Sequence, residues 1–154
     1  MSLLIQSATE ADANILAAMN KRLIEDEHSC NPMTVDELRQ RMADWLERDW
    51  VAKFFIASGM IVGYALYQLR EDDYYPDRPV VYIRQFFIER DFRNRGFGMQ
   101  AFKLLVATSF PSDCTIALDV LASNPGGFRF WSRAGFQPYC TTMNLQHHSE
   151  IGKS

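Results

Sequence analysis

The chain has 154 residues, is 47% hydrophobic and 13% aromatic, and sets 16 Lys and Arg against 19 Asp and Glu for a formal net charge of −3. This length fits one folded domain, residues 1–154, able to bury about 70% of its unfolded surface. The composition excludes a disordered tail, a collagen-like repeat and a coiled coil, and the acidity argues against a general nucleic-acid binder.

No apolar run reaches the roughly 18 residues of a spanning helix. MSLLIQSATEAD lacks the basic start of a signal peptide and carries acid by residue 10. Cys30, Cys114 and Cys140 are far apart and form no CxxC pair. They read as three reduced thiols, and the expected location is cytoplasmic, with no membrane and no metal.

Leu3 to Ser7 is a short strand. Thr9, with Asp12 three residues on, opens a helix whose apolar face is Ile15, Leu16, Met19 and Leu23. It runs out in EDEHSCNP, residues 25–32. Thr34 and Glu37 form a capping box for a second helix with Val35, Leu38, Met42, Trp45 and Leu46 on one stripe. Trp50–Ala57 and Met60–Leu69 are strands joined at Ser58-Gly59 as a tight hairpin. After a loop at 71–79 comes a third long strand, Val80–Ile88, and then the charged loop ERDFRNRGFG, 89–98. Gly98 to Phe110 is helical and Pro111 stops it. Thr115–Leu121 is a buried strand, Asn124–Ala134 a short helix capped by Gly135, and Phe136–Leu145 a last strand before a polar tail from residue 146. The order β-α-α-β-β-β-α-β-α-β predicts an α/β (α+β) fold, a mixed, mostly antiparallel central sheet flanked by helices, with its core at about 3–145.

Charge is unevenly spread. Residues 1–50 hold ten acids and five bases, whereas 84–103 hold five bases (Arg84, Arg90, Arg93, Arg95, Lys103) and two acids. One basic stretch in an acidic chain suggests a local anion site. Within it, Arg93-Asn94-Arg95-Gly96-Phe97-Gly98 lies between a strand and a helix. Glycines admit a sharp turn, and the first helical amides point outward at the positive end of the dipole, which suits phosphate.

Two phosphate-binding readings compete. Gly96-x-Gly98-x-x-Ala101 fits the dinucleotide fingerprint, with Asp119 about 20 residues on. Against it, ERDFRNR separates strand from glycine, Asp119 precedes the apolar Val120-Leu121, and little chain is left for a substrate domain.

The other reading is a resemblance. Arg93-x-x-Gly96-x-Gly98, after a strand ending Phe86-Phe87-Ile88, resembles the [Q/R]-x-x-G-x-[G/A] acetyl-CoA loop of the GCN5-related N-acetyltransferases (GNAT). Leu118-x-Val120, Asn124, Phe130-Trp131 and Gly135-Phe136 resemble the later motif of that family, and Ile61-Val62-Gly63-Tyr64 its hairpin. The resemblance covers roughly residues 3–145.

The resemblance implies that the strand before the glycine loop splays from its neighbour at a bulge. The pantetheine arm then pairs with the backbone of Phe86, Phe87 and Ile88. Amides of Arg93, Asn94, Arg95, Gly96, Phe97 and Gly98 wrap the pyrophosphate, with Arg93 and Arg95 near phosphate, and Asn124 bonds the pantetheine arm. It implies an acetyl-CoA-dependent N-acetyltransferase in which a primary amine, of a small molecule or peptide, attacks the thioester directly in a ternary complex. Strand amides stabilise the oxyanion and coenzyme A leaves as thiolate.

Where the family usually has Tyr, this chain has Trp131, whose indole N–H can donate a hydrogen bond but not a proton. Tyr139 is a substitute acid. No Glu stands on the strand Tyr82-Ile83-Arg84-Gln85. The base candidates are therefore Glu27, with Glu25, Asp26 and His28 beside it, and Asp119, whereas His147 and His148 read as exposed. Acids at 25–27 and 71–73 would favour a cationic acceptor, whereas Tyr82 and Arg84 could equally hold an anion. The alternative function is a catalytically weak acyl-CoA-binding module of the same fold. The aromatic-rich last strand is an edge that could form a homodimer.

Overall fold

A computed structural model describes residues 2–149. Strands β1 (Leu3–Ser7), β2 (Trp50–Ala57), β3 (Met60–Glu71), β4 (Pro79–Ile88) and β5 (Thr115–Leu118) form one sheet in the order β1-β2-β3-β4-β5. The first four pair antiparallel and β5 lies parallel to β4. β2–β3 and β3–β4 are hairpins, β1 reaches its antiparallel neighbour β2 through residues 8–49 and their two helices, and β4 reaches the parallel β5 by a helical crossover. Ser58 and Gly59, at φ 50° and 75°, make the two-residue turn between β2 and β3.

Four α-helices pack on this sheet: α1 (Ala13–Asp26), α2 (Val35–Glu47), α3 (Phe97–Thr108) and α4 (Pro125–Ala134). α1 follows a short 3-10 turn at Glu10–Asp12, where the Thr9 amide donates to Asp12 Oδ2 at 2.9 Å. α2 starts on the expected capping box, with reciprocal bonds of 3.0 and 3.2 Å between Thr34 and Glu37.

Two cores lie on opposite faces. On one, Leu16, Met19, Leu23 and Met42 of α1 and α2 cover Phe54, Tyr64, Leu66 and Phe87. On the other, Phe97, Ala101, Phe102 and Leu105 of α3 cover Phe55, Val62, Ala65, Val81, Ile83 and Ile88. Burying an aromatic or branched side chain contributes about 1.5–3 kcal/mol each, so these two layers dominate stability. Ile15 and Val35, expected on buried stripes, are 45% and 46% exposed, Ile15 one position off the face α1 buries and Val35 as the first residue of α2. Among the described residues no helix is long and apolar enough to cross a membrane.

One expected element is absent. Residues 136–145 form no strand; beyond Phe136 they are exposed, with Tyr139, Met143 and Leu145 each about nine-tenths accessible. Pro138 lacks a ladder donor, and among the described residues no strand lies beside the segment for it to pair with. The last β of the expected order is therefore corrected, whereas the mixed, mostly antiparallel sheet flanked by helices is observed. β5 also ends at Leu118 rather than Leu121. Of the expected polar tail from residue 146, residues 150–154 lie outside the described part.

Candidate acetyl-transfer site

β4 pairs with β5 only from Val80 to Ile83. Beyond that the two part, and among the described residues no strand covers the outer edge of residues 84–88. The divergence begins at a bulge. In the β3 ladder Leu66 faces Gln85 and Tyr67 faces Ile83, leaving Arg84 as the extra residue. The bulge also puts consecutive side chains on one face. Arg84 stacks on Trp45, and Gln85 Oε1 accepts the buried Tyr64 hydroxyl at 2.7 Å. Phe86 resumes the opposite face, 5.3 Å from Phe55.

The glycine loop follows β4. Asn94 and Gly96 take left-handed conformations (φ 61° and 79°), and Gly96 caps α3. A side chain at Gly96 would meet open space, so the surface over it is free for a bulky group. Gln100 donates the first amide bond of α3, to Gly96 O at 3.1 Å. Among the described residues, the amides of Asn94 to Gly98 have no acceptor. Gly98 is tightly packed instead: a Cβ there would stand 2.9 Å from the Phe130 ring of α4. Phe97 is buried beneath the loop.

The two loop arginines do different things. Arg93 turns inward: its Nε donates to Ile88 O at 2.8 Å and its guanidinium pairs with Asp26. Arg90 joins the same carboxylate at 2.7 Å, and Arg22 grips Glu89 with two bonds of 2.8 and 3.0 Å. The end of α1 is thus tied to the start of the loop. Burial alone would raise the Asp26 carboxyl, but hydrogen bonds from Arg93 and Arg90 outweigh it and hold it below its ordinary value. Arg95 is exposed, rests 5.6 Å from the Phe92 ring and has no carboxylate partner among the described residues. It is the free cation of the loop.

These ties sort the candidate bases. Asp26 is taken by the arginines, Glu25 is exposed 3.8 Å from Arg90, and His28 is exposed in a left-handed turn. Glu27 differs. It is partly buried, and its charge adds to the effect of burial, the larger cause, in pushing up the Tyr64 phenol. Burial, and then the charge of Asp26, raise Glu27 above the usual carboxylate range. Its carbonyl accepts Ser123 Oγ at 2.9 Å, which fixes the end of α1 across the opening to the loop before α4. The next residue, Asn124, caps α4 by accepting the Gly127 amide at 3.0 Å.

Asp119 stands just past β5 and accepts the Tyr82 hydroxyl at 2.6 Å. Burial first, and then that bond, push the Tyr82 phenol up to about 12. Trp131 lies on the α3 side in an aromatic cluster, 5.1 Å from Phe86, 5.3 Å from Phe102, 4.7 Å from Phe130 and 5.3 Å from Phe136. Tyr139, His147 and His148 lie on the exposed final segment. Tyr64, Gln85, Trp45, Arg41 and Arg70 were not picked out for the site from the sequence. Of these, only the i,i+4 pair Arg41–Trp45 on α2 leaves a local trace.

The comparisons agree with this geometry. Residues 20–136 match the sequence model of the acetyltransferase (GNAT) family. Among solved structures, a possible acetyltransferase from Clostridium difficile 630 superimposes with a TM-score of 0.77 at 14% identity, over 97% of this chain and 99% of that one. Aminoglycoside N-acetyltransferase AAC(6')-Iy in complex with CoA gives 0.74 at 17% identity, over 96% of both chains. A Clostridium acetobutylicum protein described as an acetyltransferase with acetyl-CoA gives 0.75 at 18% identity, over 96% and 100%. No curated protein sequence matches significantly. The family match spans most of the sheet, the bulge, the glycine loop and α4, and the chain belongs to the GNAT acetyltransferase family.

Proposed function

We propose that this single domain is an acetyl-CoA-dependent N-acetyltransferase acting on a primary amine by direct attack in a ternary complex. The observation that carries the reading is the parting of β4 from β5 at Arg84, with unpartnered loop amides at one end and Glu27 across the other. CoA-bound structures of similar fold support the choice of cofactor.

The residues fit a pyrophosphate and a pantetheine arm. The amides of Asn94 to Gly98 and the side chain of Arg95 hold the diphosphate, and open space over Gly96 admits it. Backbone groups of Phe86, Phe87 and Ile88 offer an unpaired strand edge, and the Asn124 side-chain amide lies beside the same opening. Arg93 acts from behind the loop, fixing its shape rather than meeting phosphate with its side chain. Bound acetyl-CoA supplies an activated acyl group.

Glu27 takes the proton of the acceptor ammonium, directly or through water, with its raised pKa suited to the task. Asp119 is committed to Tyr82 and helps shape the acceptor side. Trp131 packs against Phe86 and supports the strand edge. Three free thiols, at Cys30, Cys114 and Cys140, suit a reducing, cytoplasmic setting.

Calorimetry with acetyl-CoA tests the cofactor claim. Binding is expected, and Arg95→Glu should weaken it about tenfold, since a charge-assisted bond contributes on the order of 1.5–3 kcal/mol and exposure discounts it. No heat with acetyl-CoA, or binding of NAD instead, would reject the reading. Binding with no thiol release above the hydrolysis blank for any amine would leave a CoA-binding module.

The exposed segment 137–147 and the free outer edge of β5 support a homodimer in which each chain lends this strand to its partner. Light scattering should give twice the chain mass. Truncation after Phe136 should give monomers, and a monomeric full-length chain would sink this part of the reading.

A further inference from the structure

On the α1/α2 face, three arginines alternate with three aromatic rings. The Arg41 guanidinium lies 4.4 Å from the Trp45 ring centre, and Arg84 lies 4.7 Å from Trp45 and 5.9 Å from Trp50. Arg70 lies 5.9 Å from Trp50 and 4.1 Å from Tyr82. The rings touch one another, Trp45 to Trp50 at 5.6 Å and Trp50 to Tyr82 at 6.4 Å. The row is built from α2 (Arg41, Trp45), the start of β2 (Trp50), the end of β3 (Arg70) and the bulge of β4 (Tyr82, Arg84).

These cations lack counterions. Arg70 reaches Gln68 at 2.9 Å, and Arg41 reaches Asn20 at a long 3.4 Å. Arg84 makes no hydrogen bond, and Arg41 Nε is buried with no acceptor. Among the described residues no carboxylate pairs with any of the three. Among the described residues the one acid hydrogen-bonded to the row is Asp119, spent on Tyr82. Four other arginines do carry carboxylate partners: Arg22 with Glu89, Arg39 with Asp36, and Arg90 and Arg93 with Asp26. Leaving a buried guanidinium donor unmatched costs stability, and two facing cations repel, so the arrangement calls for an anion. Arg41 shows the strain: burial, and then Arg84, lower its proton affinity.

We propose that the acceptor is an amine carrying a carboxylate, and that Arg84 and Arg41 bind this carboxylate between Trp45 and the bulge. The inference rests on the acetyl-transfer reading for the direction in which the amine points. Arg84 precedes Gln85, whose Oε1 accepts the Tyr64 hydroxyl, and on the acetyl-transfer reading the amine points from there toward Glu27. One or two residues of strand, roughly 3–7 Å, therefore separate anion and amine. That spacing matches an α-amino acid or a short ω-amino acid. Planar guanidinium forks suit a carboxylate, and the stacked rings keep them weakly hydrated. Polycationic amines such as aminoglycosides and polyamines would meet three like charges.

The test has a kinetic arm and a binding arm. Thiol release from acetyl-CoA is measured with amino acids, their methyl amides, phosphoethanolamine, polyamines and aminoglycosides. Binding of an N-acetyl amino acid and of its methyl amide is followed by tryptophan fluorescence. The carboxylate-bearing amines should be the best substrates. Arg84→Gln should raise their KM about 10- to 100-fold, leave the amides unchanged, and leave acetyl-CoA affinity as in the parent. The N-acetyl amino acid should perturb Trp45 and Trp50 in the parent and not in Arg84→Gln. Preference for polycations, an equal Arg84→Gln effect on acids and amides, a clear preference for the phosphate amine, or no carboxylate binding at millimolar concentration would each overturn the proposal. If carboxylates bind and acetyl-CoA does not, the anion site stands and the acetyl-transfer reading fails.

Discussion

Glu27→Gln is expected to lower kcat about 100-fold while leaving acetyl-CoA affinity within a factor of two, the usual range for losing a general base being 10²–10⁴. The Glu27 carbonyl accepts Ser123 Oγ at the turn into α4, and no backbone bond depends on its carboxylate. Its pKa is raised by burial and by Asp26. In the parent, kcat/KM should therefore rise with pH as Glu27 ionises, and that acidic limb should vanish in the Gln variant. Stability should move the opposite way. A carboxyl raised in the fold favours the protonated folded state, so its contribution is present below the unfolded value and lost as pH rises through the folded one. At neutral pH an ionised Glu27 opposes folding, and Gln, of the same size and neutral, should raise Tm while it slows turnover. Parental turnover with the acidic limb intact would remove Glu27 from the mechanism.

That trade is not written in any local pattern, which shows where the sequence stops being readable. Helices and strands were legible because their signals are local: the Thr34–Glu37 box, the Ser58-Gly59 turn and the β-branched and aromatic run into Ile88 each decide a few residues at a time. The glycine loop was legible for the same reason. The side-chain role of Arg93 was not, because the carboxylate that turns it inward, Asp26, lies 67 residues away on α1. Side-chain alternation fails too at the bulge: strict alternation puts Arg84 and Gln85 on opposite faces, and the extra residue puts both on one. Choosing Glu27 from Glu25, Asp26, Glu27 and His28 needed the fold, since only burial and partners separate them. The last strand, expected over 136–145, does not form because strand-forming residues record only a tendency to pair, and pairing needs a second strand that is not beside it among the described residues.

Asp26→Ala is expected to cost about 2 kcal/mol of unfolding free energy and to weaken acetyl-CoA binding about tenfold. One carboxylate, with 15% of its side chain accessible, holds both Arg90 and Arg93, and Arg93 in turn holds the Ile88 carbonyl at the root of the glycine loop. Removing it strands two cations, a penalty of about 1–3 kcal/mol that water reduces because both arginines are partly exposed. The loop then loses the tie that fixes its amides, so affinity falls although no group touching the diphosphate has changed. The pH dependence separates this from simple cavity formation. The Asp26 carboxyl is held below its ordinary value, so its stabilisation is present above the unfolded value, near 3.9, and is lost as pH falls through the folded one. Urea unfolding at pH 7 and at steps below pH 4 should show the gap between parent and Asp26→Ala constant at first and closing in acid. A gap that persists unchanged through that range would mean that packing, and not the arginine pair, holds the loop.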